Sequence, residues 1–393
     1  MALRMMEAAA SGAAAPKSNR REIMCVSSNI ASRRVGWQAR IVAQEGQAWL
    51  AVMASLQQTP RQMTGELPME QRPLGKTGLS VSVLGYGCGA IGGLMVKGTA
   101  AEQDRAIGRA IDQGITYFDT ASAYGDGVSE SNLGRALKAL GAKVIVGTKV
   151  RIRGPQRTDI AGTIAQSIDA SLVRLGRDSV DIFHLHEPIT QSGEAPSFTA
   201  DQILQEAVPA LRKLRDQGKI RFYGITGLGD APMLRRVLDE GGFATAQMPY
   251  NILNPSGVTP LPPASPMPDL GGVIHHAGKM GVGVMAIRIL AGGALSGSED
   301  RSPLGVPKVE PIASGASYAA DVQAARRLLP LIQAGYAKDL VELALRFSAM
   351  PREISTVLVG TASIAELDHA VAAINQGPLP AEALAMIKQL QHG

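Results

Sequence analysis

From residue 80 onward the chain alternates short apolar runs with longer stretches whose apolar residues recur at helical spacing. The short runs are Val81–Cys88, Tyr117–Thr120, Val144–Val150, Val180–His186, Phe222–Thr226, Thr245–Tyr250, Val282–Ile289 and Thr356–Gly360. Their length and apolar content read as strands. Between them, Glu102–Gln113, Glu130–Leu140, Ile160–Leu175, Ile203–Gln217, Met233–Glu240 and Leu270–Met280 read as amphipathic helices. Their ends are punctuated by Gly114, Gly141, Gly176, Gly218, Gly241 and Gly281, as a left-handed C-terminal cap requires.

Strands alternating with helices predict a parallel sheet with right-handed crossovers. Eight such units fit an α/β fold of the (β/α)8 barrel (TIM barrel) type, one catalytic domain over residues 70–393. A doubly wound sheet would carry a G-x-G-x-x-G turn after its first strand. Here that strand runs into Gly85-Tyr86-Gly87-Cys88-Gly89, which fits the spacing only loosely. No acidic strand end follows about 20 residues on, as that fold would require. Two irregular stretches, Gly292 to Tyr318 and Glu187 to Ala200, follow the seventh and fourth strands. Both fall on the face where barrel enzymes keep their active sites.

Composition narrows the class. Of 393 residues, 45% are hydrophobic and 19% charged, enough to bury a large core. Two cysteines, Cys25 and Cys88, cannot build a disulfide framework, so a reducing, cytoplasmic setting is expected. No apolar run approaches the ~20 residues that span a bilayer, so no membrane association is expected. The net charge of +5 is uneven: residues 1–69 carry +4, leaving +1 for the other 324. A nearly neutral globular part gives no support for nucleic-acid binding, and a monomer is the default. Residues 1–69, rich in Ala, Ser, Met and Arg without sustained periodicity, read as a disordered N-terminal extension, a transit-like leader, or untranslated sequence ahead of Met69.

Four groups with proton chemistry fall at the ends of the second, third and fourth strands: Asp119, Tyr124, Lys149 and His186. In a parallel barrel those ends are neighbours on one rim, so the four can converge. Singly, Asp119 and Lys149 could be a buried ion pair and Tyr124 a loop aromatic. His184 and His186 share one face of the fourth strand, and such a pair can begin a metal site of a hydrolase. The later strand ends, Gly224-Ile225-Thr226, Gln247-Met248-Pro249-Tyr250 and Val359-Gly360, offer no further ligand. No metal is therefore expected, and His184 reads as a hydrogen-bonded interior histidine.

These residues carry a resemblance. Gly85–Gly87, the run Gly114 to Ala121 with Tyr124-Gly125, and Ser129-Glu130 with Leu133-Gly134 belong to it. So do Gly147-Thr148-Lys149, Asp181 with His186, and Gly224-Ile225-Thr226. Gln247 with Tyr250-Asn251, and Leu358-Val359-Gly360 before Ala365-Glu366-Leu367, complete it. Over residues 70–393 the chain resembles the aldo-keto reductase family.

That resemblance implies an NAD(P)-dependent oxidoreductase interconverting a small aldehyde or ketone and its alcohol. Tyr124 would be the proton donor, Lys149 the cation beside it, Asp119 the anchor of Lys149, and His186 the group that orients the carbonyl. It also implies cofactor contacts from Gly87, Cys88, Asp119, Gln247, Arg288, Leu290, Gly292, Gly360, Thr361 and Ser363. Gln247 would hold the nicotinamide carboxamide, the turn from Leu290 the pyrophosphate, and Gly360 to Ser363 the adenosine end.

Three departures stand out. The seventh strand end, Ala286-Ile287-Arg288-Ile289-Leu290, lacks the frequent aromatic, and Thr226-Gly227 replaces a Ser-Asn pair. The stretch after the eighth strand offers Glu366 where a lysine or arginine usually grips the 2′-phosphate of NADP. A carboxylate repels a phosphate, so either NADP(H) or NAD(H) is open. The family also contains non-catalytic, cofactor-binding scaffold or regulatory members, which stand as the alternative. Glu187, next to His186, is placed to meet a substrate hydroxyl and favours a polyol or sugar-like carbonyl.

Overall fold

The computed structural model describes residues 69–261, 265 and 267–392. Apart from Met69, the expected N-terminal extension lies outside the described residues. The first expected strand, Val81–Cys88, divides into two. Its start, β2 (Ser80–Ser82), pairs antiparallel with β1 (Gln71–Pro73) in a hairpin, and its end, β3 (Leu84–Gly87), enters the barrel. Ser82 marks the break. Its hydroxyl donates to the Leu84 carbonyl at 2.6 Å and its N–H to Thr116 Oγ1 at 2.8 Å, so the ladder cannot run through it.

Seven further strands follow: β4 (Tyr117–Asp119), β5 (Ile145–Val150), β6 (Val180–Leu185), β7 (Ile220–Thr226), β8 (Thr245–Pro249), β9 (Gly283–Ile287) and β10 (Ile354–Val359). With β3 they form a closed parallel barrel, β10 pairing with both β9 and β3. This is the (β/α)8 barrel that the alternation predicts.

The principal helices are α1 (Ala100–Asp112), α2 (Val128–Leu140), α3 (Ile160–Leu175), α4 (Val208–Asp216), α5 (Ala231–Gly241), α6 (Val273–Met280), α7 (Leu340–Ser348), α8 (Ile364–Asn375) and α9 (Ala381–His392). The expected helix Ile203–Gln217 begins as a π-helical turn over Ile203–Ala207. Pro209, which has no N–H for the i−4 carbonyl, lies in the first turn of α4 and accounts for that widening. At α5 the left-handed cap is Gly242, with φ 68°, one residue past the expected Gly241.

Leu74 and Val81 of the hairpin pack with Tyr117, Ile182, Met285 and Leu358 inside the barrel. Arg72 donates to the carbonyl of Ile354, and Lys76 N–H to that of Gly281, both at the starts of strands. The hairpin therefore plugs the N-terminal end and leaves the C-terminal mouth free for chemistry. Burying Leu74 contributes about 2–3 kcal/mol to that closure. Strand register sets the mouth: Asp119 lies beside Gly147, and Lys149 beside His184.

The two stretches expected to be irregular are partly built. Ala291–Ser296 forms a helical turn, and a helix begins at Tyr318, capped by the Ser317 side chain. Ile189 bridges Phe198 and Gly229, which anchors the loop after β6. No helix among the described residues is long and apolar enough to cross a membrane.

Candidate active site

The floor of the mouth is a buried charge pair. Lys149 is 0% exposed, and its Nζ donates to Asp119 Oδ2 at 2.5 Å, to the Thr120 carbonyl at 2.7 Å and to Tyr124 Oη at 3.2 Å. All three ammonium protons are thereby used. Burial works against this cation, but the Asp119 carboxylate and the Tyr124 oxygen prevail and hold its pKa above the usual lysine value.

Asp119 Oδ1 accepts from the Tyr117 hydroxyl at 2.9 Å and from the Gln247 amide at 2.5 Å. Burial, followed by the adjacent carboxylate, raises the Tyr117 pKa well above the ordinary value, so this residue stays a phenol and a donor. A Cβ at Gly147 would stand 2.2 Å from the Tyr117 oxygen, so only glycine there lets the phenol reach Asp119. Tyr117 was missed in the sequence. The available signal was its position two residues before Asp119, on the same strand face.

Tyr124 follows β4 in a turn closed by its N–H to the Ala121 carbonyl at 3.0 Å. Its ring meets His186 edge-on, with centroids 5.9 Å apart. His186 is the first residue after β6. Burial and then the cations of Lys149 and Arg151 hold its pKa well below the usual value, so the imidazole is neutral. His184 lies one layer deeper, with Nε2 3.0 Å from Thr245 Oγ1 and its pKa pushed down to about 3 by burial and then by Lys149. Among the described residues no group of three or more His, Cys, Asp or Glu is placed to hold a metal ion.

Glu187 departs from expectation. Its side chain is 1% exposed, turns away from the cavity, and accepts the Ile152 N–H at 2.5 Å and the His186 N–H at 3.2 Å. Those two backbone donors, where β5 and β6 end, need an acceptor, and the carboxylate supplies it. Burial pushes its pKa up to about 7 against the pull of those N–H groups and of Arg151. The group that does face the cavity is Arg151, which the sequence reading passed over.

The cavity measures ≈ 820 Å³. Its wall includes Asp119, Tyr124, Arg151, His186, Thr226 and Gln247 at one end. It also takes in Gly87, Arg288, Leu290, Gly292, Gly360 and Thr361. Two expected cofactor residues do not reach it. Cys88 is buried, with its N–H donating to the Asp119 carbonyl, and Ser363 turns its hydroxyl to the Glu366 N–H as the cap of α8.

Three buried polar atoms on residues of this wall have no partner among the described residues: Arg151 Nε, His186 Nδ1 and Thr226 Oγ1. Such atoms are rare in folded proteins, and these three belong to residues that also line the cavity. Thr226 and Gln247 are register partners, so a hydroxyl and an amide stand side by side, as a nicotinamide carboxamide requires. Gly292 and Gly293, at φ 70° and 111°, leave backbone bare for a diphosphate to approach, and Arg288 adds a cation. The residues therefore fit a nicotinamide dinucleotide together with a small substrate.

Two further features bear on the cofactor. Glu366 lies in the wall and accepts the Ala362 N–H at 2.8 Å. Arg301, also in the wall and unremarked in the sequence, ties the loop after β9 together through the Gly292 carbonyl at 2.8 Å and the Val306 carbonyl at 2.9 Å.

Residues 83–392 match the family model described as the Aldo/keto reductase family. The chain is 35% identical over 314 residues to L-galactose dehydrogenase of Arabidopsis thaliana, covering 78% of this chain and 89% of that protein. It is 28% identical over 343 residues to L-glyceraldehyde 3-phosphate reductase of Escherichia coli O157:H7, covering 82% and 92%. A solved aldo-keto reductase of Bacillus halodurans, in its holo form, superposes with TM-score 0.59 at 26% identity, covering 82% of this chain and 96% of that one.

Proposed function

This chain belongs to the aldo/keto reductase family, and from that premise we propose that it is an NAD(P)-linked enzyme interconverting a small hydroxylated aldehyde or ketone and its alcohol. The single observation that carries the reading is Lys149 Nζ, buried and bonded at once to Asp119 and to the Tyr124 oxygen.

A bound nicotinamide supplies or takes up the hydride. In the reducing direction the substrate oxygen lies between Tyr124 and His186. Negative charge builds on that oxygen, and Tyr124 Oη passes it a proton. The Lys149 ammonium, 3.2 Å away, favours the phenolate left behind. Asp119 fixes the direction of that ammonium. The neutral His186 imidazole hydrogen-bonds the substrate oxygen and orients the carbonyl without adding a charge. In the oxidising direction the same phenolate receives the alcohol proton.

NAD(H) is placed ahead of NADP(H), because residues 360–366 bring Glu366 and no lysine or arginine to the wall. The hydroxylated substrate class is supported by the names of the two relatives, one acting on L-galactose and the other on L-glyceraldehyde 3-phosphate. The test is titration of the purified protein with NADH and NADPH, followed by a screen of aldehydes, ketones and sugars in both directions. Saturable binding with turnover, tighter for NADH, is the expected result. Binding of either cofactor without turnover would favour the scaffold reading, and binding of neither would overturn both.

A further inference from the structure

Arg151 stands two residues beyond Lys149, immediately past the end of β5. It shares the cavity wall with Tyr124 and His186, and its charge lies near enough to lower the His186 pKa. Its Nε is buried without a partner, and its side chain makes no hydrogen bond among the described residues. The nearest carboxylate, Glu187, is 3.8 Å from Nε, beyond hydrogen-bond range, and both Glu187 oxygens already accept backbone N–H groups.

Arginines that only staple loops look different in this molecule. Arg157 donates to the carbonyls of Pro196, Gly193 and Ser197, and Arg301 to those of Gly292 and Val306. Arg151 is compensated in charge but left with its donors free. A guanidinium fork in that state can take up two neighbouring oxygens. With its charge already balanced by Glu187, it suits hydroxyls better than a second anion.

We propose that Arg151, backed by Glu187, is the substrate-recognition residue of this site, donating to the hydroxyl on the carbon next to the reacting carbonyl, so that the substrate is an uncharged polyhydroxylated aldehyde or its alcohol. The assignment rests on the reading of Tyr124 and His186 as the reacting end. The second recess, ≈ 530 Å³ and walled in part by Arg151 itself with Arg153, Gln156 and Arg174, is the place an anionic tail would go. Three carboxylates stand against these three arginines: Asp126 shares the wall, Glu130 holds Arg174 at 2.6 Å and Glu187 lies 3.8 Å from Arg151, which leaves little net positive charge for such a tail.

The test compares kcat/KM for glyceraldehyde, propanal and glyceraldehyde 3-phosphate in the wild type, Arg151→Met, Arg151→Lys and Glu187→Gln. The assay is run at pH 8, above the Glu187 value of about 7. The wild type is expected to favour glyceraldehyde over both others. Arg151→Met should lose at least about tenfold more on glyceraldehyde than on propanal, because a site built to bond a hydroxyl discriminates through it. Arg151→Lys should recover part of that difference. Glu187→Gln should move preference toward the phosphate ester.

Equal losses on glyceraldehyde and propanal in Arg151→Met, or a wild type that prefers the phosphate ester, would overturn the assignment while leaving the proton chemistry standing. Wild-type turnover by Tyr124→Phe would remove the reading on which it rests. NADH titration of each variant checks that its fold is intact.

Discussion

The floor and the wall of the same cavity are built on opposite terms. In the floor, Lys149 uses all three of its protons on Asp119, Thr120 and Tyr124, and Asp119 receives Tyr117 and Gln247 in addition. In the wall, Arg151, His186 and Thr226 each keep a buried polar atom without a partner among the described residues. Leaving such an atom buried and unpaired costs about 1–3 kcal/mol. The floor is therefore satisfied by the protein's own groups, whereas the wall is not. On the proposed reading, the floor carries the chemistry and the wall selects the substrate.

The comparison breaks hardest at Lys149. Lys149→Met should lower turnover by about 10²–10⁴-fold, since general acid chemistry loses its supporting cation. It should also destabilise the fold by about 3–5 kcal/mol, because Asp119 is left charged and buried. Steady-state kinetics and a denaturation midpoint check both.

Thr226→Val tests the wall in the other direction. It removes a hydroxyl that has no partner among the described residues, so stability should hold or rise. Cofactor affinity should fall roughly five- to tenfold, the worth of about 1 kcal/mol of hydrogen bonding. A stability loss comparable to that of Lys149→Met would erase the distinction between floor and wall.

Tyr117→Phe, in the floor, takes one of two donors from Asp119 Oδ1 and should cost about 1 kcal/mol of stability and a few-fold in kcat, with KM little changed. An unaltered denaturation midpoint would show that the phenol contributes nothing to holding Asp119.

A separate effect concerns pH and Glu187. Its folded value of about 7 lies above the ordinary 4.5, so the folded state keeps its proton longer than the unfolded chain. The contribution is complete below pH 4.5 and is lost as pH rises toward 7. Each pH step of one across that window costs at most about 1.4 kcal/mol. Glu187→Gln should therefore gain on the wild type as pH rises through the window. His184, with its value lowered to about 3, acts with the opposite sign in both proteins, losing stability as pH falls below 6.5, and cancels in the difference. Parallel pH–stability curves for the two proteins would contradict the account.

Much of the barrel was legible because parallel strands buried on both faces read as unbroken apolar runs. The division of Val81–Cys88 was hidden, since hairpin and barrel strand are both apolar and only the bonds of Ser82 separate them. Asp119, Lys149 and His186 stood out because each lies at or beside the end of a strand. Tyr117 and Arg151 acquire significance only from the register that brings β4, β5 and β6 together. The direction of Glu187 was not readable at all, since two backbone N–H groups on different strands decide it.

The central claim is that Tyr124 passes the proton and is held ready for it by the floor. Its most direct test is a single-turnover measurement on Tyr124→Phe with saturating NADH and the best carbonyl substrate found. The account predicts unchanged cofactor affinity and a hydride-transfer rate lower by about 10²–10⁴-fold. A rate equal to that of the wild type would contradict it.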